Sequence, residues 1–408
     1  MRFATGLLTA LLLSGTAFAH NWPCWRGAQE DGTSLETNMP VHWSASENIR
    51  WKTELPGNGH ASPIVWGDKI FTVTAVLESN ERRLLCLNRK TGAIVWQKTV
   101  VTTPAEGKHG LNSYASSTPA TDGGLIYVTF LDRQEMVAAA YDFDGNQQWL
   151  VRPGAFSSMH GFCSSPLLFK DKVIVNGDHD GDSYIVALNR TDGKTLWKIP
   201  REHHTRSYCA PIIREIGGKT QMVLSGDKSV ASYDPNTGAR HWIMDGPTEQ
   251  FVASPVYNPG ADLLFVTGGF PQFHIIAIDP HGTGNVTSTH IKWRTTRGAS
   301  YVPSPISVGD YFFIVSDGGI ASCFEAKSGK QMWNERLKGD HHASLVSANG
   351  LVYFLSDKGI MTVVEAKPEF KIVAENPIGE TCFASPALSN GEIFLRGDHS
   401  LFCISNQK

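Results

Sequence analysis

Apolar residues in this chain come in short bursts, each closed by a cluster of turn-forming residues. Residues 163–199, "CSSPLLFKDKVIVNGDHDGDSYIVALNRTDGKTLWKI", hold four bursts in succession: SPLLF, VIVNG, YIVALN and TLWKI. Lys170-Asp171, the Asp-Gly stretch 178–182 and Thr191-Asp192-Gly193 separate them with residues that favour tight turns. Apolar positions do not recur at three- or four-residue spacing over any useful length, so the pattern predicts short strands and no long helix. Each such unit reads as a four-stranded antiparallel meander.

The unit repeats. Related units begin "ASPIVWGDKIFTVTA" at Ala61, "SSTPATDGGLIYVTF" at Ser116, "CAPIIREIGGKTQMVLSG" at Cys209, "ASPVYNPGADLLFVTGG" at Ala253, "PSPISVGDYFFIVSDGG" at Pro303 and "ASPALSNGEIFLRGD" at Ala384. A degenerate unit, "ASLVSANGLVYFLSDKG", starts at Ala343 and has Leu345 where the others have proline. A tryptophan trails most units, at 96, 149, 197, 242, 293 and 333, with Val373 expected in that slot of the degenerate unit. Four strands repeated eight times predict an all-β fold, an eight-bladed β-propeller of four-stranded antiparallel blades. The last unit supplies only three strands. The fourth is available in "NIRWKTEL" with Trp51, so an N-terminal strand is expected to complete the last blade and close the ring, which removes open edges.

The start of the chain, "MRFATGLLTALLLSGTAFAH", has the layout of a signal peptide cleaved after Ala19. Its apolar run is too short to span a bilayer, and Thr16 stands where a lipoprotein would carry cysteine. The expected organisation is a signal peptide (1–19), a leader segment (20–47) and a propeller (48–408). The mature protein is expected to be exported, periplasmic or secreted, without a membrane span and monomeric. With 36 basic against 39 acidic side chains and no basic run, nucleic acid is excluded as a partner class. The seven cysteines include no CxxC and are odd in number, so at least one is free of intrachain pairing. Cys86 and Cys323 fall in a strand slot that holds Ala187 in another unit, which predicts small buried thiols.

With "AxNxxTGxxxW" and "SSP" recurring in phase, residues 48–408 resemble the pyrroloquinoline-quinone (PQQ)-like repeat family of eight-bladed propellers. Residues 21–43, "NWPCWRGAQEDGTSLETNMPVHW", resemble the leader of an exported bacterial subgroup. The resemblance implies that Trp51, Trp96, Trp149, Trp197, Trp242, Trp293 and Trp333 dock each blade onto the next. It spans two kinds of protein: quinoprotein alcohol dehydrogenases, and non-catalytic outer-membrane assembly scaffolds of the BamB type. The dehydrogenases hold PQQ over a tryptophan floor beside a calcium ion, many beneath a disulfide of adjacent cysteines. This chain has no adjacent cysteines and no Asp-Glu-Asn set matching that site, so PQQ is not expected.

In a ring of meanders, the connectors from the outermost strand of one blade to the innermost of the next share a face with the loops between second and third strands. The stretch "HHTRSYCAP" (203–211) is one such connector. Equivalent connectors carry His60, His109 with Tyr114, His160, and His341-His342, so seven of the fifteen histidines are expected on this face. His60, His109, Tyr114, His160, His203, His204, Arg206, Tyr208, His341 and His342 are therefore candidates for binding a ligand or partner. Histidines in a ring can hold a transition metal. Asp178, His179, Asp180 and Asp182, in "GDHDGDSY", are candidate calcium ligands, although the closing glutamate of an EF-hand is missing. No Gly-x-Ser-x-Gly elbow, His-Glu-x-x-His helix or phosphate loop occurs, and no catalytic residue is assigned. The expectation is a binding or scaffold protein that takes a protein or small molecule at its axial funnel. The alternative is a quinone- or metal-dependent oxidoreductase at the histidine-lined mouth.

Overall fold

The computed structural model describes residues 21–406; the expected signal peptide lies outside the described residues. Eight blades form a closed ring. Their innermost strands are Ile64–Trp66, Ala120–Thr121, Leu167–Phe169, Ile212–Ile216, Val256–Asn258, Ile306–Val308, Val346–Ala348 and Ala387–Ser389, of blades 1 to 8 in order. The outermost strand of blade 8 is Ile49–Glu54, paired antiparallel with Ser400–Ser405, so the ring closes as the sequence predicts. There is no single core. Most clusters of buried side chains lie between two neighbouring sheets, as where Phe71 and Leu84 of blade 1 meet Phe130 and Tyr141 of blade 2, and the largest joins blades 7, 8 and 1 with the leader.

One joint recurs from blade to blade. In every outermost strand the residue before the tryptophan position is skipped in the pairing, a bulge that re-aims the side chain after it. The residue paired with each tryptophan is small: Cys86, Ala140, Ala187, Ser232, Ala277, Cys323 and Cys403. Cys86 and Cys323 are thus buried because the joint needs a small residue there, and burial pushes both thiols up to about 12. Each indole N–H then donates to a carbonyl of the next blade. Trp51 reaches Arg89 (2.8 Å), Trp96 Phe143 (3.1 Å), Trp149 Arg190 (2.8 Å) and Trp197 Pro235 (3.3 Å). Trp242 reaches Pro280 (3.1 Å), Trp293 Ala326 (2.9 Å) and Trp333 Lys367 (3.0 Å).

The pairing corrects one expectation. Val373 is the skipped residue of blade 7, and Ala374, opposite Val363, holds the tryptophan position. The missing indole has a geometric reason. Blade 8 draws its last two strands from opposite ends of the chain, so it offers no turn there for a blade 7 indole to reach. Trp43 is buried in the same cluster instead, and its backbone N–H donates to Asn376 Oδ1 (3.0 Å).

At the joint that closes the ring, Gly92 has φ +72°, and a Cβ there would lie 2.4 Å from Thr53 Oγ1 and 2.5 Å from the Trp51 ring. Gly92→Ala is expected to lower stability by about 2 kcal/mol or more, from left-handed strain and from forcing the indole off its seat. Urea unfolding checks this: an unchanged midpoint would show that Trp51 does not bear on the closure.

The leader is part of the ring's architecture. Trp22 exchanges two 2.9 Å backbone hydrogen bonds with Val65 of blade 1, and Pro23 accepts from Thr121 N of blade 2 (2.8 Å). Glu30 accepts from Ile213 N of blade 4 (3.1 Å), and Arg26 donates to Pro305 O at blade 6 (2.5 Å). Thr33–Ser34 then adds a short parallel strand to Val346–Ala348 of blade 7, and Glu36 accepts from the Asn390 and Gly391 amides of blade 8. A segment touching blades 1, 2, 4, 6, 7 and 8 must cross the axis. It does so on the side of the turns that follow the innermost strands, opposite the histidine-bearing connectors.

Candidate functional site

With the leader beneath it, the axial channel is a blind funnel. Its chamber holds about 550 Å³ of atom-free space, open solvent at the mouth included. Trp25 of the leader contributes to its wall, together with His60, Cys163, Tyr208, His342 and Phe383.

A belt of hydroxyls surrounds the chamber, built by the residue before the proline of most blades and before Leu345 in blade 7; blade 4 has Ala210 at this position. Ser62, Thr118, Ser165, Ser304, Ser344 and Ser385 all line it. Backbone N–H groups link the belt from blade to blade. Ser62 N donates to Thr118 Oγ1 (3.0 Å), Thr118 N to Ser165 Oγ (3.0 Å), Ser304 N to Ser344 Oγ (3.0 Å) and Ser344 N to Ser385 Oγ (2.9 Å). Ala210 N donates to Ser254 Oγ (3.0 Å), and Ser254 N to Ser304 Oγ (3.0 Å). Proline lacks an N–H, so the strand's first donor to a neighbour is the residue before it. The recurrent Ser-Pro pair is a joint between blades, and it leaves a hydroxyl at the axis.

Above the belt, three of the ten sequence candidates line the chamber. The His60 ring lies 4.6 Å from the Phe383 ring, centroid to centroid. Burial, then the Arg396 guanidinium, pushes its pKa down to about 4, so it is neutral at pH 7. His342 is the opposite case. Burial lowers its pKa, but a 2.7 Å hydrogen bond to Asp357 and that carboxylate's charge outweigh it and hold it above the ordinary value. Tyr208 shares a 2.5 Å hydrogen bond with Ser158 Oγ, and burial raises its phenol.

The other seven lie off the chamber. His160 packs against His109 (5.5 Å) and Tyr208 (6.0 Å) on the rim; burial, then Arg206 and His109, lowers its pKa. His109, His203 and His204 are exposed. The His204 Nδ1 lies 2.7 Å from Gly181 O. Tyr114 sits beneath Arg82 and Lys108. Arg206 binds both oxygens of Asp180 (2.7 and 2.8 Å). His341 is fully buried behind the rim, and burial pushes it down to about 4.

The candidate calcium ligands do not converge. Asp178 is buried in an ion pair with Arg201 (2.8 Å) and accepts from Ser207 Oγ (2.7 Å). His179 Nδ1 lies 2.8 Å from Gly177 O, Asp180 is held by Arg206, and Asp182 is exposed. Among the described residues no three His, Cys, Asp or Glu side chains are placed to hold a metal ion. A quinone with calcium does not fit the chamber either, because its lining has no carboxylate and no side-chain amide to ligate the ion.

Sequence reasoning missed Trp25, Phe383 and the hydroxyl belt. The belt had a signal, the hydroxyl residue before most of the phased prolines and before Leu345 in the degenerate unit. Among the described residues no helix is long and apolar enough to cross a membrane.

Solved structures with the same fold include BamB from Moraxella catarrhalis, with TM-score 0.61 and 14% identity, covering 88% of this chain and 97% of that one. The quinohemoprotein alcohol dehydrogenase from Comamonas testosteroni has TM-score 0.64 and 11% identity, covering 94% and 80%. At these identities the likeness shows the fold alone. In sequence, the chain is 22% identical over 262 residues to outer membrane protein assembly factor BamB of Shewanella oneidensis, covering 60% of this chain and 62% of that protein. It is 27% identical over 100 residues to the BamB of Burkholderia pseudomallei, 24% of this chain and 26% of that protein. The chain thus spans less than two thirds of the length of either curated relative. The family model for outer membrane protein assembly factor BamB matches residues 38–106, 80–268 and 271–368. With most of the blades inside that match, the chain belongs to the BamB family of β-propellers.

Proposed function

We propose that this protein is an exported binding scaffold that holds a protein partner on its funnel face. One observation carries the reading. Among the described residues nine large hydrophobic side chains are exposed, and five of them, Leu77, Leu111, Met159, Phe270 and Phe273, lie in loops of that face. Exposed apolar and aromatic groups gathered on one face beside an arginine, here Arg206, are the makings of a protein interface. The opposite face is partly covered by the leader, which leaves the funnel rim as the free end of the ring. The family supplies the partner class, a protein of outer-membrane assembly. The signal-peptide layout of the leading segment, with cleavage expected after Ala19, supports the periplasm as the compartment.

The double variant Met159→Asp/Phe273→Asp tests the rim. Both side chains are exposed, so the fold is expected to stand while capture of envelope proteins by the tagged full chain falls at least tenfold. Equal capture by native and variant protein, or none by either, overturns the reading.

A further inference from the structure

We propose that the hydroxyl belt at the base of the funnel binds a small oxyanion, a free carboxylate or phosphate-type group, through O–H donors. This rests on reading the funnel as a binding site and names what its deepest part takes. Ser62, Thr118, Ser165, Ser304, Ser344 and Ser385 are each at least nine-tenths buried, and all line one chamber. Five of them accept a backbone N–H from a neighbouring blade. Among the described residues none of the six donates its own proton to a protein acceptor. Ser62, only 3% exposed, neither donates from nor accepts at its hydroxyl.

A hydroxyl oxygen that accepts an N–H is polarised to donate through its O–H. The belt therefore presents donors from several blades to one small space. The chamber lining contains no carboxylate and no side-chain amide to compete for them. A cation would need those hydroxyl oxygens as ligands, and five of the six already accept amide hydrogens. An oxyanion needs the protons that remain. Fixed dipoles aimed at one point can hold an anion without a formal countercharge. His342 also stands at the wall, where its 2.7 Å hydrogen bond to Asp357 favours its protonated form. Trp25 and Phe383 supply apolar surface beside the donors.

The test is isothermal titration of the full-length protein with inorganic phosphate, acetate and citrate in turn. At least one is expected to bind saturably at one site, and the pattern among the three tells phosphate-type from carboxylate recognition. Ser62→Ala is expected to weaken that binding at least tenfold with the ligand-free thermal midpoint unchanged, because the Ser62 hydroxyl has no protein partner to lose. Ser62→Thr, which keeps a hydroxyl as Thr118 does at the equivalent position, restores it. No saturable binding of any of the three at 10 mM (about the weakest a built site would show), or equal binding by native protein and Ser62→Ala, overturns the proposal. Either result leaves partner capture by the rim untouched, so the two readings fail separately.

Discussion

Replacing Trp242 by alanine is expected to cost about 3–5 kcal/mol of stability, the range for deleting a large aromatic from a closed core. Trp242 is 1% exposed and packs between blades 4 and 5 with Val223, Val266 and Ile276. Its indole N–H lies 2.9 Å from Gln221 Oε1 and 3.1 Å from Pro280 O. Trp242→Phe separates packing from hydrogen bonding. Gln221 Nε2 still donates to Pro280 O, and Ser232 Oγ still donates to Gln221 Oε1, so neither acceptor is orphaned. The phenylalanine variant is expected to lose only about 1–2 kcal/mol. Urea midpoints of both variants settle the matter, and equal losses would assign the joint to the hydrogen bond rather than to packing.

Acid is expected to weaken the ring before it reaches the carboxylates. His60 and His341 are both held near pKa 4 by burial, against an ordinary value of 6.5. Between pH 6.5 and 4 the unfolded chain takes up protons that the native state refuses. Stability is therefore fully present above pH 6.5 and is lost as pH falls toward 4, by on the order of 2–3 kcal/mol for each histidine. Glu30 works the other way. Burial raises it to about 7, so the native state holds its proton between pH 4.5 and 7 while the unfolded chain releases it, and acidification relieves that penalty. His341→Leu is expected to make the histidine-driven acid limb shallower and to change stability at pH 8 by less than about 1.5 kcal/mol. Glu30→Gln is expected to steepen the limb. Thermal midpoints of the three proteins from pH 8 to 4 measure both effects, and a limb unchanged in His341→Leu would remove that residue from the account.

The blades were legible in the sequence because the joint between them uses two rare residues in phase, proline at the axis and tryptophan at the outer strand. Register was less so. A bulge shifts pairing by one residue, and an apolar pair such as Val373-Ala374 gives no sign of which member is skipped. The leader's path was illegible because residues 21–43 have no period. Its anchors, Arg26 to Pro305 O among them, are made across hundreds of residues. The candidate site was read through its histidines, the residues with the most chemistry, yet only His60 and His342 of seven reach the chamber. Neighbouring loops hold the others, as the backbone carbonyl of Gly181 meets His204 and Tyr208 packs against His160. The oxygen donors of "GDHDGDSY" fail for the same reason. Arg201 lies outside that stretch, so nothing within it announces that Asp178 is already taken.

The strand Ile49–Glu54 has a consequence in time. It emerges early in synthesis, yet its partner, Ser400–Ser405, follows about 350 residues later. Until then one sheet edge of blade 8 has no neighbour, and Trp51 has no Cys403 opposite it. A contact of such long sequence separation is slow to form and leaves its strands open to pairing with other chains meanwhile. Delivery of the chain and completion of the ring are therefore separate events, and the interval between them is when this protein most needs protection from aggregation.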